Sequence, residues 1–219
     1  MKNSGLNGIC TTALAISVLV ISMVAGAQSC PCQYMTPTPA DISKAVPGAT
    51  LKNFAQVDEN IYRGSLPSSA QDYQFLKAKG IKTIFSLERF PTHTITEAKR
   101  DPANGFIYKH ISVGASPLLS WENKMNAVVE TLSDPSLYPI YLHCYMGSDR
   151  TSLAIGLYRV QKQNCHPADA EAEMSLFHFA DFAYLPKVGV PSDLLVRVLK
   201  DYFYDHVNFG SSAPRCEKQ

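Results

Sequence analysis

Residues 138–163 read YPIYLHCYMGSDRTSLAIGLYRVQKQ, and three pieces with different patterns follow one another without a break. Tyr138 to His143 is short, apolar and aromatic-rich, which predicts a buried strand. Thr151 to Gln163 is long enough, and apolar at the right intervals, for a helix. Cys144 to Arg150 joins them as a loop with Gly147 at its middle. A strand that runs through a short loop into a helix is the building unit of a parallel sheet.

The same alternation continues upstream. Ile61-Tyr62-Arg63 reads as a strand entering the turn Gly64-Ser65-Leu66-Pro67, and Ser68 or Ser69 can cap a helix that runs through Phe75 to Lys79 and stops at Gly80. Thr83 to Leu87 and Phe106 to Val113 are predicted strands, and Trp121 to Leu132 has helical spacing at Met125, Val128, Val129 and Leu132. Downstream, helices are predicted over Ala168 to Phe177 and Ser192 to His206. The pattern predicts an α/β fold with a central, mainly parallel sheet covered by helices on both faces.

The chain has 219 residues, 46% hydrophobic and 18% charged, with 20 basic and 19 acidic side chains. That is enough for one domain with a sizeable core and too apolar for a disordered chain. The near-zero net charge removes the electrostatic basis for holding nucleic acid or an anionic membrane. Lys2 is the only charge in the first 40 residues. After it come the apolar run Ala13 to Ala25 and the small residues Ala25-Gly26-Ala27, the order of an export signal, here taken as residues 1–27 with cleavage after Ala27. The alternatives are an uncleaved membrane anchor and, with less weight, a lipid-modified Cys30. Residues 28–53 then form an extended leader, 54–208 the domain, and 209–219 a tail. Cleavage would leave 19 basic against 19 acidic side chains, a neutral protein in a periplasmic or secreted, oxidising setting. Five of the six cysteines remain: Cys30, Cys32, Cys144, Cys165 and Cys216. Being odd in number, they predict one thiol left out of intrachain pairs.

A cysteine followed six residues later by arginine is common by chance. His143 before the Cys, Gly147 three after it, Thr151 after the Arg, and the strand-to-helix junction together are not. A loop that leads into a helix N-terminus turns successive backbone N–H groups inward and makes a nest for a tetrahedral dianion. Arg150 adds a planar fork for two phosphoryl oxygens. Cys144 is then the nucleophile.

On His143-Cys144-x5-Arg150-Thr151 the chain resembles the cysteine-based protein phosphatases, and within them the compact bacterial dual-specificity type. The likeness spans about Phe54 to His206 and includes Tyr62-Arg63-Gly64-Ser65-Leu66-Pro67. It implies attack by Cys144 on phosphorus, a phosphate nest of Tyr145, Met146, Gly147, Ser148, Asp149 and Arg150, a hydrogen bond from Thr151 to the sulfur, and structural support from His143. It also implies a phosphorylated protein or peptide as substrate, phosphotyrosine first and phosphoserine or phosphothreonine as an extension.

Two positions depart from the family pattern. The general acid is usually an Asp on a loop expected here near residues 112–123, and SVGASPLLSWEN contains none. Glu122 and Asp149 are the candidates, Asp149 preferred because a carboxyl group inside a phosphate nest is a ready donor once protonated. Ser152 stands where the family usually has Gly.

The helix after Arg150 is about 20 Å long, which keeps Cys165 beyond disulfide distance of Cys144. Cys30 and Cys32 are expected to pair with Cys165 and Cys216. No metal-binding spacing occurs, and the chemistry calls for no metal or cofactor. Two other functions fit less well. A phosphoinositide or inositol phosphate phosphatase would want lysines in the loop, and a phosphate-binding module without turnover would not need both Cys144 and Arg150.

Overall fold

The computed structural model describes residues 44–90, 96, 105–114, 121–181 and 192–207. The export signal, Cys30, Cys32, most of the leader, the 209–219 tail with Cys216, and residues 115–120 of the expected acid loop lie outside the described residues.

Five strands form one sheet: β1 (Ala55–Gln56), β2 (Ile61–Gly64), β3 (Thr83–Ser86), β4 (Ile107–His110) and β5 (Ile140–His143), in the order β1-β2-β5-β3-β4. β1 runs antiparallel to β2, and all other pairings are parallel. β5 is flanked by β2 and β3 with matched register, so Gly64, His143 and Ser86 lie abreast where the three strands end. The chain has passed from β2 to β3 and β4 before returning to fill the gap between them. Ligands of parallel sheets bind at the carboxyl ends of strands where the order reverses, here the end of β5.

Among the described residues, helices α1 (Ala70–Ala78), α2 (Glu122–Leu132), α3 (Asp149–Gln163), α4 (Pro167–Leu176) and α5 (Ser192–His206) cover the sheet. Alternation along the strands sorts the two faces. Ile84 and Tyr141 pack with Tyr73 and Leu76 of α1. Their neighbours Phe85 and Leu142 pack on the other side with α2, α3, α4 and α5. α3 is buried continuously from Thr151 to Val160, as expected of a helix surrounded by others. The mainly parallel sheet with helices on both faces is therefore as the sequence predicts. No described helix is long and apolar enough to cross a membrane.

The packed body extends further towards the N-terminus than Phe54. Leu51 is fully buried against Tyr73 and Leu76, with Val46 and Ala49 packed beside it. Asp72 fixes this segment: burial raises its carboxyl, but donors from Ser68, Thr50 and Ser69 outweigh that and hold it below the usual carboxylate range. The Thr50 N–H and hydroxyl reach it at 2.6 and 2.7 Å. Asp72 and Ser69 also close a reciprocal cap on α1. Residues 46–53, read from sequence as leader, are thus anchored to α1 through a carboxylate that also serves the helix.

Candidate active site

β5 ends at His143, α3 begins at Asp149, and the loop between them lies at the sheet's switch point. Three consecutive carbonyls of this loop are held on its outer side. Tyr145 O accepts from Leu66 N at 3.1 Å, Met146 O from the side-chain amide of Asn53 at 2.9 Å, and Gly147 O from Arg63 Nη2 at 2.7 Å. In a trans peptide the C=O and the following N–H point opposite ways. Anchoring those three carbonyls therefore turns the N–H groups of Met146, Gly147 and Ser148 to the inner side. The α3 N-terminus adds to them, because Ser148 makes no side-chain cap there, whereas α1 is capped by Ser69.

Gly147 is required twice. Its φ is +74°, and a Cβ would lie 2.5 Å from the backbone C and O of Gly64 and 2.8 Å from the N of Ser65. All three contacts are backbone, so nothing can swing aside. Gly64 is itself closed off, since a Cβ there would meet the hydroxyl of Tyr141, which donates to Ser65 O at 2.7 Å. Gly147→Ala is expected to destabilise the protein by about 3 kcal/mol or more, combining left-handed strain with overpacking. Denaturant unfolding checks this, and an unchanged midpoint would show that the two turns can separate.

The sequence-predicted residues fall as follows. Cys144 sits at the base of the loop, 3% exposed. Tyr145 projects outward and is 58% exposed, Met146 is partly buried, and Gly147 and Ser148 are buried. His143 is fully buried; its ring stacks on Tyr141, and its Nδ1 lies 3.2 Å from Cys144 O, a contact in which Nδ1 must carry the proton. Thr151 is fully buried in the first turn of α3, and its Oγ1 has no hydrogen-bond partner among the described residues.

Arg150 uses both Nη1 hydrogens on main-chain carbonyls, Leu87 O at 3.1 Å and Val113 O at 3.2 Å. Its Nη2 lies 3.2 Å from Oε1 of Glu88, which is buried just beyond β3. Those contacts fix the plane of the guanidinium.

Asp149 is partly buried and accepts a hydrogen bond from Ala180 N at 2.9 Å, in the turn after α4. Burial pushes its carboxyl up to about 6, against the lowering pull of the Ala180 N–H and the Arg150 charge. Glu122, the other acid candidate, opens α2 after the fully buried Trp121, and its side chain is outside the described residues.

Asn53, Glu88 and Ala180 were not singled out from sequence. Arg63 stands in the sequence as part of a strand and of the entry turn that the resemblance includes, and a charged residue in a short buried strand is itself a signal. Ser152 has a specific partner: its Oγ accepts from Arg63 Nη2 at 2.7 Å. Cys165 follows the far end of α3 and is disulfide-bonded, while Cys144 is a free thiol.

A buried thiol at the end of the central strand, an inward-facing amide loop and an arginine in the first helical turn are the parts of a cysteine-phosphatase phosphate loop. The sequence model of the tyrosine phosphatase family matches residues 49–185, and the chain belongs to that family. It is 24% identical over 161 residues to the inositol diphosphatase DSP2 of Arabidopsis thaliana, a match covering 55% of this chain and 62% of that relative's length. Among solved structures it is similar to P. aeruginosa TpbA in complex with pTyr, at 21% identity and TM-score 0.53, over 76% of this chain and 99% of that one. It is also similar to the core catalytic domain of the PP-IP phosphatase Siw14 of S. cerevisiae in complex with citrate, at 22% identity and TM-score 0.52, over 72% and 89%. At this identity the two likenesses show the fold.

Proposed function

We propose that the protein is an exported, cysteine-dependent phosphatase that hydrolyses phosphotyrosine monoesters on proteins or peptides, with phosphoserine and phosphothreonine as an extension. The observation that carries the reading is the row of outward-bound carbonyls above Cys144. It leaves a ring of N–H donors with no need of a basic surface. Cys144 thiolate attacks phosphorus, the ester P–O bond breaks, and the leaving oxygen takes a proton from Asp149, with Glu122 as the other candidate. Water then attacks the thiophosphoryl group, gives a proton back to that carboxylate, and the S–P bond breaks. Thr151 Oγ1, buried without a partner among the described residues, would donate to the departing sulfur. The Arg150 guanidinium would hold the equatorial oxygens through both steps.

The choice of phosphotyrosine rests on the loop's own side chains. Between Cys144 and Arg150 there is no Lys or Arg to hold a second or third phosphate, while Tyr145 offers an exposed ring next to the nucleophile. Export is supported by the signal-like residues 1–27. The disulfide at Cys165 supports pairing of Cys165 and Cys216 with Cys30 and Cys32 in the leader.

The test is turnover of para-nitrophenyl phosphate, inhibited by vanadate, followed by a panel of phosphotyrosine peptides against inositol phosphates. Phosphotyrosine peptides are expected to have kcat/KM at least about 100-fold higher, a difference of two to three kcal/mol in transition-state binding. Preference for the inositol phosphates would overturn the substrate assignment, and binding without turnover would leave a phosphate-binding module.

A further inference from the structure

Arg63 is fully buried at the end of β2 with its guanidinium next to the phosphate loop. Nη2 donates to Gly147 O and to Ser152 Oγ, each at 2.7 Å. The guanidinium carbon lies 3.6 Å from the ring centre of the fully buried Phe177, which follows α4. One charged group thereby joins the last strand position before the Gly64 turn, the middle of the loop, the first turn of α3 and the end of α4.

We propose that Arg63 is a positioning residue for phosphoryl transfer, acting by holding the Gly147–Ser148 peptide so that the Ser148 N–H faces the phosphoryl group; this rests on the phosphatase reading above. The argument begins with Gly147. A glycine populates both signs of φ readily, so the peptide beside it is the easiest in the loop to turn over. A reversed peptide would aim the Gly147 carbonyl into the nest and repel the dianion the nest exists to hold. Arg63 opposes that reversal with a charge-assisted hydrogen bond, stronger than a neutral one, made in a water-excluded setting.

Phe177 and Ser152 orient Arg63 in turn. The ring fixes the guanidinium plane from one side, and the Ser152 hydroxyl takes the other Nη2 hydrogen. A glycine at 152, the usual family residue, would offer no such acceptor. Ser152 is therefore part of the support for the loop. Asp149 meets the same turn, through Ala180 N. The segment after α4 thus touches the site at two points, one through Arg63 and one directly.

The experiment compares Arg63→Met and Arg63→Lys with the parent full-length protein, each checked for folding by near-ultraviolet circular dichroism. Two quantities are measured on folded protein: kcat and KM for para-nitrophenyl phosphate, and the Kd of tungstate, a tetrahedral oxyanion probe. Arg63→Met is expected to lower kcat about 30- to 100-fold with little change in KM, and to weaken tungstate at least about 10-fold. Arg63→Lys, which keeps the charge but not the planar fork, is expected to recover part of both. A purely structural role would lower the melting temperature and leave kcat and tungstate affinity per folded molecule within about twofold of the parent, which would overturn the proposal. Should Arg63→Met not fold, Arg63→Lys decides by the same criterion, with about a 5- to 20-fold loss expected. A parent that binds tungstate but hydrolyses nothing would sink the phosphatase reading and leave Arg63 to be judged on tungstate alone.

Discussion

Replacing Cys144 with serine is expected to reduce hydrolysis of para-nitrophenyl phosphate to background, a loss on the order of a million-fold, as for removal of other essential nucleophiles. Serine is nearly isosteric, so the loop should stay intact, but its hydroxyl is a poor nucleophile without an adjacent base. The adjacent histidine is not placed to act as one. The neighbouring imidazole of His143 has its Nδ1 committed to Cys144 O and its ring stacked on Tyr141. Oxyanion binding should survive, because the amides of Met146, Gly147 and Ser148 and the Arg150 fork are untouched. Tungstate affinity in Cys144→Ser within about fivefold of the parent, together with no turnover, is the expected pair of results. Residual hydrolysis above about one per cent of the parent would rule out the phosphocysteine route.

The second large effect is expected at Asp149→Asn, where activity and stability should move in opposite directions. As general acid, Asp149 must carry a proton when the ester bond breaks. Its loss should lower kcat by about 100- to 10,000-fold on poor leaving groups and much less on good ones. A loss that is flat across leaving groups would assign the acid elsewhere, with Glu122→Gln as the companion variant. Stability follows from linkage. Burial raises the folded-state carboxyl to about 6 from its ordinary 3.8. The folded state then binds the proton more tightly than the unfolded one, so the charged form costs nothing below about pH 4. The cost grows as pH rises through the interval between the two values and is fully present above about 6. Asparagine keeps an oxygen for the Ala180 N–H and carries no charge. Asp149→Asn is therefore expected to stabilise the protein by about 1–3 kcal/mol at pH 7.5, a gain that fades towards pH 4. Thermal melts at the two pH values check it, and equal shifts at both would show that the carboxyl is not held up by burial.

Much of this could be read from one linear stretch, because the relevant physics is local there. Periodicity placed β5 and α3, and Cys144, Gly147 and Arg150 are separated by residues of a single loop, so their meeting needs no tertiary information. The capping pair Ser69 and Asp72 is local in the same way. What the sequence withheld lies across the fold. Asn53 reaches Met146 over 93 positions and Arg63 reaches Gly147 over 84. Nothing local names what either residue meets, even though a charge in a short strand marks Arg63 itself. Leu51 sits in a segment whose prolines and threonines suggest an extended leader, and only the cleft beside α1 makes it core. Glu88 looks like any polar residue after a strand until Arg150 arrives beside it. The position of β5 between β2 and β3 is likewise a property of the returning chain, not of any strand's own residues.

The back-to-back contact of Gly147 with Gly64 and Ser65 bears on how such a site could be moved to another protein. The transplantable unit is not the nine-residue signature from His143 to Thr151. Grafted alone, that peptide would lose the three donors that orient its carbonyls and the glycine surface against which it turns. Residues 52–66 would have to travel with it, as one interlocked pair of turns whose two halves can change only together.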